Sequence, residues 1–392
     1  MLTIPIFLLT LAIGVLGANS LVLSPVAVQV AASFAGASAP DVPLAAAAYG
    51  AGTALSAFLI APHADRIGVG RSLLIAMSVL ALALAMSAMA PSLPFLALAQ
   101  ALAGLSAGLA IPSIYALATI LAPSGAASRV LGLVLTGWTL SLVAGVSISA
   151  IIADYLHWRT IFIGLASLAG IILALLWNWL PRDTRRAQQD ASTSWLAALR
   201  IPQARLLLCL CALYSTAFYG LYAYLGTHIQ TVFASSASTA GVATFSYGVG
   251  FGLAVLLDGR LGRIGPRGGV VMVFAGLAGV YLSLALSAEH FAALLAACFV
   301  WGIINHLGLN LVVGQLAGLS APHRATLLGL NSTVMYVCVL VGTLSYRPVF
   351  DQGGFGAASL LSAGCMVVAT ALSLYGYRAG GRAVATGAAA DL

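Results

Sequence analysis

Apolar runs of about 20 residues follow one another along almost the whole chain, separated by short polar breaks. The apolar core of a bilayer is ~30 Å thick and needs about 20 apolar residues per helix, so each run can cross it. Hydrophobic residues make up 61% of the chain and charged residues 6%, which excludes a soluble globular protein. The runs cover residues 4–32, 43–63, 72–90, 95–121, 129–153, 160–180, 204–232, 240–258, 269–288, 292–318, 326–350 and 357–377. The sequence therefore predicts an all-α membrane protein with twelve transmembrane helices.

The longest polar break lies in the middle of the chain, at residues 181–200, and contains four Arg. It divides the twelve runs into two groups of six. We therefore expect an N-terminal six-helix bundle over residues 1–180, a cytoplasmic linker over 181–203 and a C-terminal six-helix bundle over 204–392.

The Arg residues predict the orientation, because basic residues are retained on the cytoplasmic side of a membrane. With the N-terminus inside, fourteen of the sixteen Arg lie in or beside cytoplasmic segments, and only Arg159 and Arg347 lie outside. Both termini are therefore expected in the cytoplasm, and we expect a multi-pass protein of a bacterial inner membrane.

The two halves carry related sequences at a nearly constant offset. "ADRIGVGR" at 64–71 is matched by "GRIGPRG" at 262–268, with Asp65 and Gly262 separated by 197 residues. "YGAG" at 49–52 is matched by "YGVG" at 247–250, at an offset of 198 residues. Duplicated helical halves are typical of secondary transporters, which hold their substrate near the membrane midplane between the halves.

Three segments resemble the major facilitator superfamily. "APHADRIGVGR" at 61–71 is similar to its loop motif between helices 2 and 3, with Asp65, Arg66, Gly68 and Arg71 in place and Ala61 instead of the leading Gly. "HWRTIF" at 157–162 resembles its Trp-Arg-x-x-Phe segment. "RATLLGLNSTVMYVCVLVG" at 324–342 resembles helix 11 of the drug:proton antiporter and sugar-efflux branch. The resemblance covers nearly the whole chain.

The loop motif predicts a gate. Gly68 permits a turn that a residue with a Cβ atom resists. Asp65 and Arg66 can pair with neighbouring helix ends in one transport state and separate in the other. In the alternative interpretation, Arg66 and Arg71 only anchor the loop in the cytoplasm.

The resemblance implies that the first, fourth, seventh and tenth runs line the central cavity. Seven side chains in these runs are candidates for substrate binding: Asn19, Ser106, Tyr219, Tyr222, Trp301, Asn305 and Asn310. At about 100° per residue, Trp301 and Asn305 share one face of the tenth run and His306 and Asn310 lie roughly opposite. The sequence does not decide which of these two faces lines the cavity. Tyr219 and Tyr222 could instead be core residues. The small residues of "GLSAG" at 104–108 are expected to allow close helix contact.

All nine acidic residues lie in loops or near the ends of the runs. Relatives in the efflux branch often have an acid where this chain has Asn19 and Ser20, and a buried Arg where it has Gln100. His306 is then the main titratable candidate at mid-membrane depth for coupling transport to protons. In the alternative interpretation, it only bonds a neighbouring helix. Arg347 precedes Asp351 by four residues, so we expect this pair to interact.

These observations predict a secondary active transporter that exports small neutral or amphipathic molecules, with protons as the candidate coupling ion. The alternative is an uptake permease or a facilitated-diffusion uniporter of the same fold. Motifs of intramembrane hydrolases, metalloproteases and phosphate-binding loops are missing, so we expect no enzyme and no cofactor. The five Cys lack metal-ligand spacing, so no metal site is expected. The net charge of +7 comes from Arg residues whose positions follow the membrane topology, so we expect no nucleic-acid partner. We also expect a monomer in the bilayer.

Overall fold

The computed structural model describes six stretches of the chain, and every regular element in them is helical. The described residues are 4–61, 67–123, 126–180, 195–258, 265–320 and 323–388. The N-terminal half contains α1 (Ile4–Leu21), α2 (Pro43–Leu59), α3 (Val69–Ala88), α4 (Leu93–Ile120), α5 (Ala127–Leu140, continued by Ser141–Gly145 and Val146–Tyr155) and α6 (Trp158–Trp179). The C-terminal half contains α7 (Pro202–Val232), α8 (Ala237–Leu253, continued by Ala254–Leu257), α9 (Pro266–Leu286), α10 (Phe291–Leu319) and one long helical stretch, Arg324–Ala388.

The last stretch is two helices. Its apolar part, Thr326–Gly376, has 51 residues. At 1.5 Å per residue this is more than twice the length needed to cross a bilayer. Gly354 interrupts it with φ 65° and ψ −165°, which separates α11 (324–353) from α12 (355–388). With the ten preceding apolar helices, the described residues therefore make twelve crossings, which confirms the predicted fold class.

The first crossing is shorter than the apolar run 4–32 predicts. Helix α1 ends at Leu21, and a separate short helix, Ala27–Ala32, follows after a turn. Pro25 explains the break, because proline has no N–H and its ring clashes with the carbonyl four residues earlier, which is that of Leu21. The freed Leu21 carbonyl accepts a hydrogen bond from the Tyr222 hydroxyl at 3.4 Å, so the break connects the two halves.

The structure repeats the internal duplication in its helix contacts. In the N-terminal half, a Cβ atom added to Gly104 would overlap the Tyr49 carbonyl of α2. In the C-terminal half, a Cβ atom on Gly302 would overlap the Tyr247 carbonyl of α8. Both pairs are related by the offset of 198 residues, so α2–α4 and α8–α10 pack in the same way. The expectation that "GLSAG" at 104–108 allows close helix contact is confirmed.

The loops before α3 and α9 also match. Gly68 has φ 97° and Gly265 has φ 81°, and each immediately precedes its helix at the offset of 197 residues. Residues with a Cβ atom rarely adopt such angles. The duplication therefore extends to the backbone of the loop.

The buried apolar side chains form two clusters. One is built mostly from residues 6–180 and the other mostly from residues 198–369. Tyr219 and Met335 pack against both. Between the clusters, α2 packs against α11 and α5 packs against α8. The space between the halves is therefore bounded by these pairs and by α1 and α7.

Candidate transport pathway and coupling site

Asn19 and Gln100, two polar residues of the predicted cavity helices, bond to each other inside the N-terminal half. Asn19 Nδ2 donates to Gln100 Oε1 at 3.0 Å, and Gln100 Nε2 donates to Asn19 Oδ1 at 3.3 Å. Gln100 Nε2 also lies 3.1 Å from Ser87 Oγ on α3. All three residues are buried. Their hydrogen-bonding groups are satisfied within the bundle, which makes this network a neutral link between α1, α3 and α4.

Ser106 also forms its hydrogen bond within its own half. Its hydroxyl donates to the Ala76 carbonyl of α3 at 2.6 Å, and the residue is 2% exposed. In this conformation neither Ser106 nor Asn19 lines the small cavity between the halves.

That cavity is lined by residues of α1, α2, α7 and α11 and of the turn after α1: Ser20, Leu21, Leu23, Ser24, Pro43, Ala46, Tyr219, Tyr222, Ala223, Val339 and Thr343. Its lining combines aromatic rings and hydroxyl groups and carries no charged side chain among the described residues. The Tyr219 hydroxyl makes no hydrogen bond within the described part of the chain, whereas the Tyr222 hydroxyl reaches Leu21. The cavity can therefore offer a ligand a hydrogen bond from Tyr219.

The Trp301–Asn305 face of α10 packs into the C-terminal half. Trp301 is fully buried and its Nε1 lies 3.3 Å from the Tyr281 hydroxyl of α9. Asn305 Nδ2 lies 2.6 Å from the Tyr247 hydroxyl of α8. The Phe218 ring of α7 packs against Trp301 with ring centroids 5.4 Å apart. This aromatic cluster fills the space between α7, α8, α9 and α10 and keeps that face away from the cavity in this conformation.

The opposite face of α10 forms a polar cluster with the end of α8. His306 Nε2 lies 3.2 Å from Asp258 Oδ2. Asn310 Nδ2 lies 2.9 Å from His306 Nε2 and donates to both Asp258 oxygens at 3.1 and 3.3 Å. The Asp258 side chain is 37% accessible and that of His306 is 10% accessible. Sequence reasoning selected His306 and Asn310 but missed Asp258, because only the packing of α8 on α10 brings a helix-end acid to the middle of α10.

The two halves meet closely at one end of the bundle. Ser24 Oγ donates to the Tyr222 carbonyl at 2.6 Å and accepts from the Gly226 N–H at 3.3 Å. Gln230 Nε2 donates to the Pro25 carbonyl at 2.8 Å, and Gln29 Nε2 donates to Gln230 Oε1 at 2.9 Å. We call this end, defined by Ser24, Gln29, Gln230, Asp154 and Arg347, the closed face.

Two carboxylate contacts complete the closed face. Asp154, at the end of α5, accepts hydrogen bonds from the backbone N–H groups of Ala237 and Ser238 at 2.9 and 2.7 Å. These groups belong to the N-terminus of α8, where the helix dipole favours a negative charge. The contact ties α5 of one half to α8 of the other.

Arg347 makes the second contact. Its Nε donates to Asp351 at 2.6 Å, which confirms the predicted pair, and its guanidinium also reaches Asp41 at 2.8 Å. Asp41 lies just before α2, so this ion pair joins the two halves.

The position of His228 near the outer end of the seventh apolar run predicts a solvated side chain, but the residue is 6% exposed. That expectation is wrong, because its ring stacks on Phe355 of α12 with centroids 4.6 Å apart.

A family model of the Major Facilitator Superfamily matches residues 9–343, most of the chain. The chain belongs to this superfamily. It is also 27% identical over 380 residues to an uncharacterized transporter of the same superfamily, YwfA of Bacillus subtilis (strain 168). The match covers 95% of this chain and 92% of that relative. The protein is therefore a multi-pass membrane protein of a transporter superfamily.

The superfamily loop motif is only partly described by the structure. Asp65 and Arg66, the predicted gate residues, lie outside the described residues. Gly68 adopts the positive φ for which glycine was expected, and Arg71 is exposed in the first turns of α3.

Proposed function

We propose that this transporter exports small neutral or amphipathic molecules by alternating access and that protons drive the export. The observation that carries the substrate class is the cavity between the halves. It presents two Tyr and three hydroxyl-bearing side chains, Ser20, Ser24 and Thr343, without a charged group in its described lining. A charge inside the membrane needs a partner, so a cavity of this kind favours a neutral ligand or a ligand with an apolar part.

The direction rests on orientation and on the resemblance to the efflux branch. If the Arg-rich segments are cytoplasmic, the closed face is the outer one and this state is closed toward the outside. An exporter must collect its substrate in this state. The closed face then separates when the substrate is released outside, as in other repeat-built transporters.

Within this proposal, Tyr219 and Tyr222 contact substrate in the state described, and His306 carries the coupling proton. The neutral Asn19–Gln100 network argues against coupling through α1 and α4, because it contains no titratable group. Asp65 and Arg66 form the gate at the cytoplasmic side.

The test uses the purified protein in proteoliposomes. Two neutral probes, radiolabelled chloramphenicol and radiolabelled arabinose, represent an amphipathic and a polar substrate. We expect transport of at least one of them, directed out of the cytoplasmic side and accelerated by an imposed pH gradient. Transport of neither neutral probe together with tight binding of a permanent dication would refute the substrate class.

The same assay separates the alternative function. Probe movement that follows only its own gradient, in both directions and without response to pH, would identify a facilitated-diffusion uniporter. Accumulation toward the cytoplasmic side would identify an uptake permease.

The Tyr219→Phe variant tests the binding site. It keeps the ring and removes one hydroxyl that has no hydrogen-bond partner among the described residues. We therefore expect the apparent affinity for the transported probe to fall roughly 2- to 10-fold, as for one lost hydrogen bond. Tyr155→Phe is the matched control, because Tyr155 is 82% exposed at the end of α5. Equal affinities for both variants would remove Tyr219 from the binding site.

A further inference from the structure

The polar cluster of Asp258, His306 and Asn310 has no counterpart in the other half. At the offset of 198 residues that relates α8–α10 to α2–α4, the equivalent positions are Ile60, Gly108 and Pro112. None of these side chains is polar. The fold therefore forms this helix pair without the cluster, and the cluster needs an explanation other than packing.

The hydrogen bonds assign different roles to the three side chains. An amide nitrogen only donates, and a carboxylate only accepts. The Asn310 amide can therefore donate one hydrogen to the Asp258 carboxylate and the other to His306 Nε2, which accepts it in the neutral ring and lies 3.2 Å from the same carboxylate. The other ring nitrogen, His306 Nδ1, is buried and has no hydrogen-bond partner among the described residues. In this arrangement Nδ1 carries the hydrogen of the neutral ring, and a proton taken up by the ring is added at Nε2, beside Asp258.

A protonated imidazole inside the membrane is costly unless an opposite charge lies beside it. Asp258 supplies that charge at 3.2 Å. The cluster is also accessible, since Asn310 is exposed and Asp258 lies at the end of α8 that is opposite the closed face. A proton can therefore reach it from the end of the bundle opposite the closed face.

The described titratable groups on the surrounding helices are engaged elsewhere. Tyr214 of α7 donates to the Asn305 carbonyl at 2.8 Å, and Tyr281 of α9 bonds to the Trp301 indole. At the start of α11, His323 pairs with the Ser320 hydroxyl and Arg324 donates to the Ala317 carbonyl. Helix α8 contributes Asp258. Within the described part of the chain, Asp258 is therefore the charged group that faces His306.

We propose that Asp258, held in place by Asn310, is the counter-ion that allows His306 to take up the transported proton inside the membrane. Asp258 acts as a positioning residue, and the proton resides on the His306 ring. The transport role of this site rests on the proposed proton-driven export. The binding of the proton can be measured without any substrate.

The experiment counts protons taken up by the detergent-purified protein when the pH is lowered from about 8 to about 5.5, the range in which His titrates. Compared with the wild type, Asp258→Asn and His306→Gln should each take up about one proton fewer per chain, because each variant removes one of the two partners that together hold the proton. The double variant should also lose one proton and not two. Asp258→Glu should restore uptake, and Glu289→Gln, which removes an acid outside the cluster, should match the wild type.

Unchanged uptake by folded Asp258→Asn would overturn the proposal, and so would the loss of two protons by the double variant. If Asp258→Asn does not fold, Asp258→Ser removes the same carboxylate with a smaller side chain and decides the question. Normal proton uptake by a wild-type protein that exports nothing under a pH gradient would refute the proposed function alone. Gradient-driven export that survives in Asp258→Asn would refute this inference alone.

Discussion

Gly226 lies against the backbone of the other half at the closed face, and Gly226→Ala should shift the transporter away from this conformation. An added Cβ would overlap the Ser24 carbonyl and lie 2.7 Å from Pro25 Cα. Both obstacles are backbone atoms of the other half and cannot rotate away. Overpacking of this kind costs about 1–3 kcal/mol. The cost applies only while the halves are closed, so it changes the equilibrium between the two states by about 5- to 150-fold.

Thiol labelling at the closed face measures this shift. Val26 is completely buried there, so a single Cys at that position, in a chain without the five native Cys, should react slowly with a maleimide. In the Gly226→Ala background the labelling rate should rise by the same 5- to 150-fold, because it follows the population of the open state. The thermal stability of the protein should change little.

Two other glycines provide matched controls. Gly302→Ala introduces an equally severe overlap, with the Tyr247 carbonyl, but inside the C-terminal half. It should lower thermal stability without accelerating labelling. Gly170→Ala on α6 meets no atom within 4 Å and should change neither quantity. A folded Gly226→Ala variant that labels at the wild-type rate would refute the argument that this contact sets the closed state.

Three further predictions concern topology, gating and coupling. Single Cys residues introduced at 91–94 should be labelled from outside the cell and those at 186–195 should not; the reverse pattern would contradict the orientation argued from Arg. Asp65→Asn should remain folded in the membrane but slow the exchange between states, measured as probe counterflow, because it removes a charge and keeps the shape; unchanged counterflow would favour the anchor interpretation. His306→Gln should keep probe binding, since an amide still forms hydrogen bonds, and should abolish the pH dependence of transport; full pH-driven transport would remove His306 from the mechanism.

The sequence alone determined the features that depend on local composition and on repetition. Apolar runs of about 20 residues specify membrane helices wherever they occur, because the bilayer leaves the backbone no other partner for its polar groups. The offsets between the halves predicted matching structure, and the glycine contacts of α2–α4 and α8–α10 show it. The Arg347–Asp351 pair was also predictable, because residues four apart on a helix are neighbours.

The tertiary structure decided which polar residues meet. Asn19 and Gln100 are 81 residues apart and Asp258 and His306 are 48 apart, and no periodicity within a single helix relates them. Ser24 and Gly226 at the closed face are likewise far apart in the sequence. His228 was expected at the surface, and only the packing of α12 buries it. In a membrane protein the apolar pattern specifies that a helix crosses, but in lipid it specifies only weakly which side faces another helix, because lipid tails are as apolar as the packed side chains. The partners of polar side chains are therefore fixed by helix packing, and the cluster of Asp258, His306 and Asn310 forms only because α8 packs against α10.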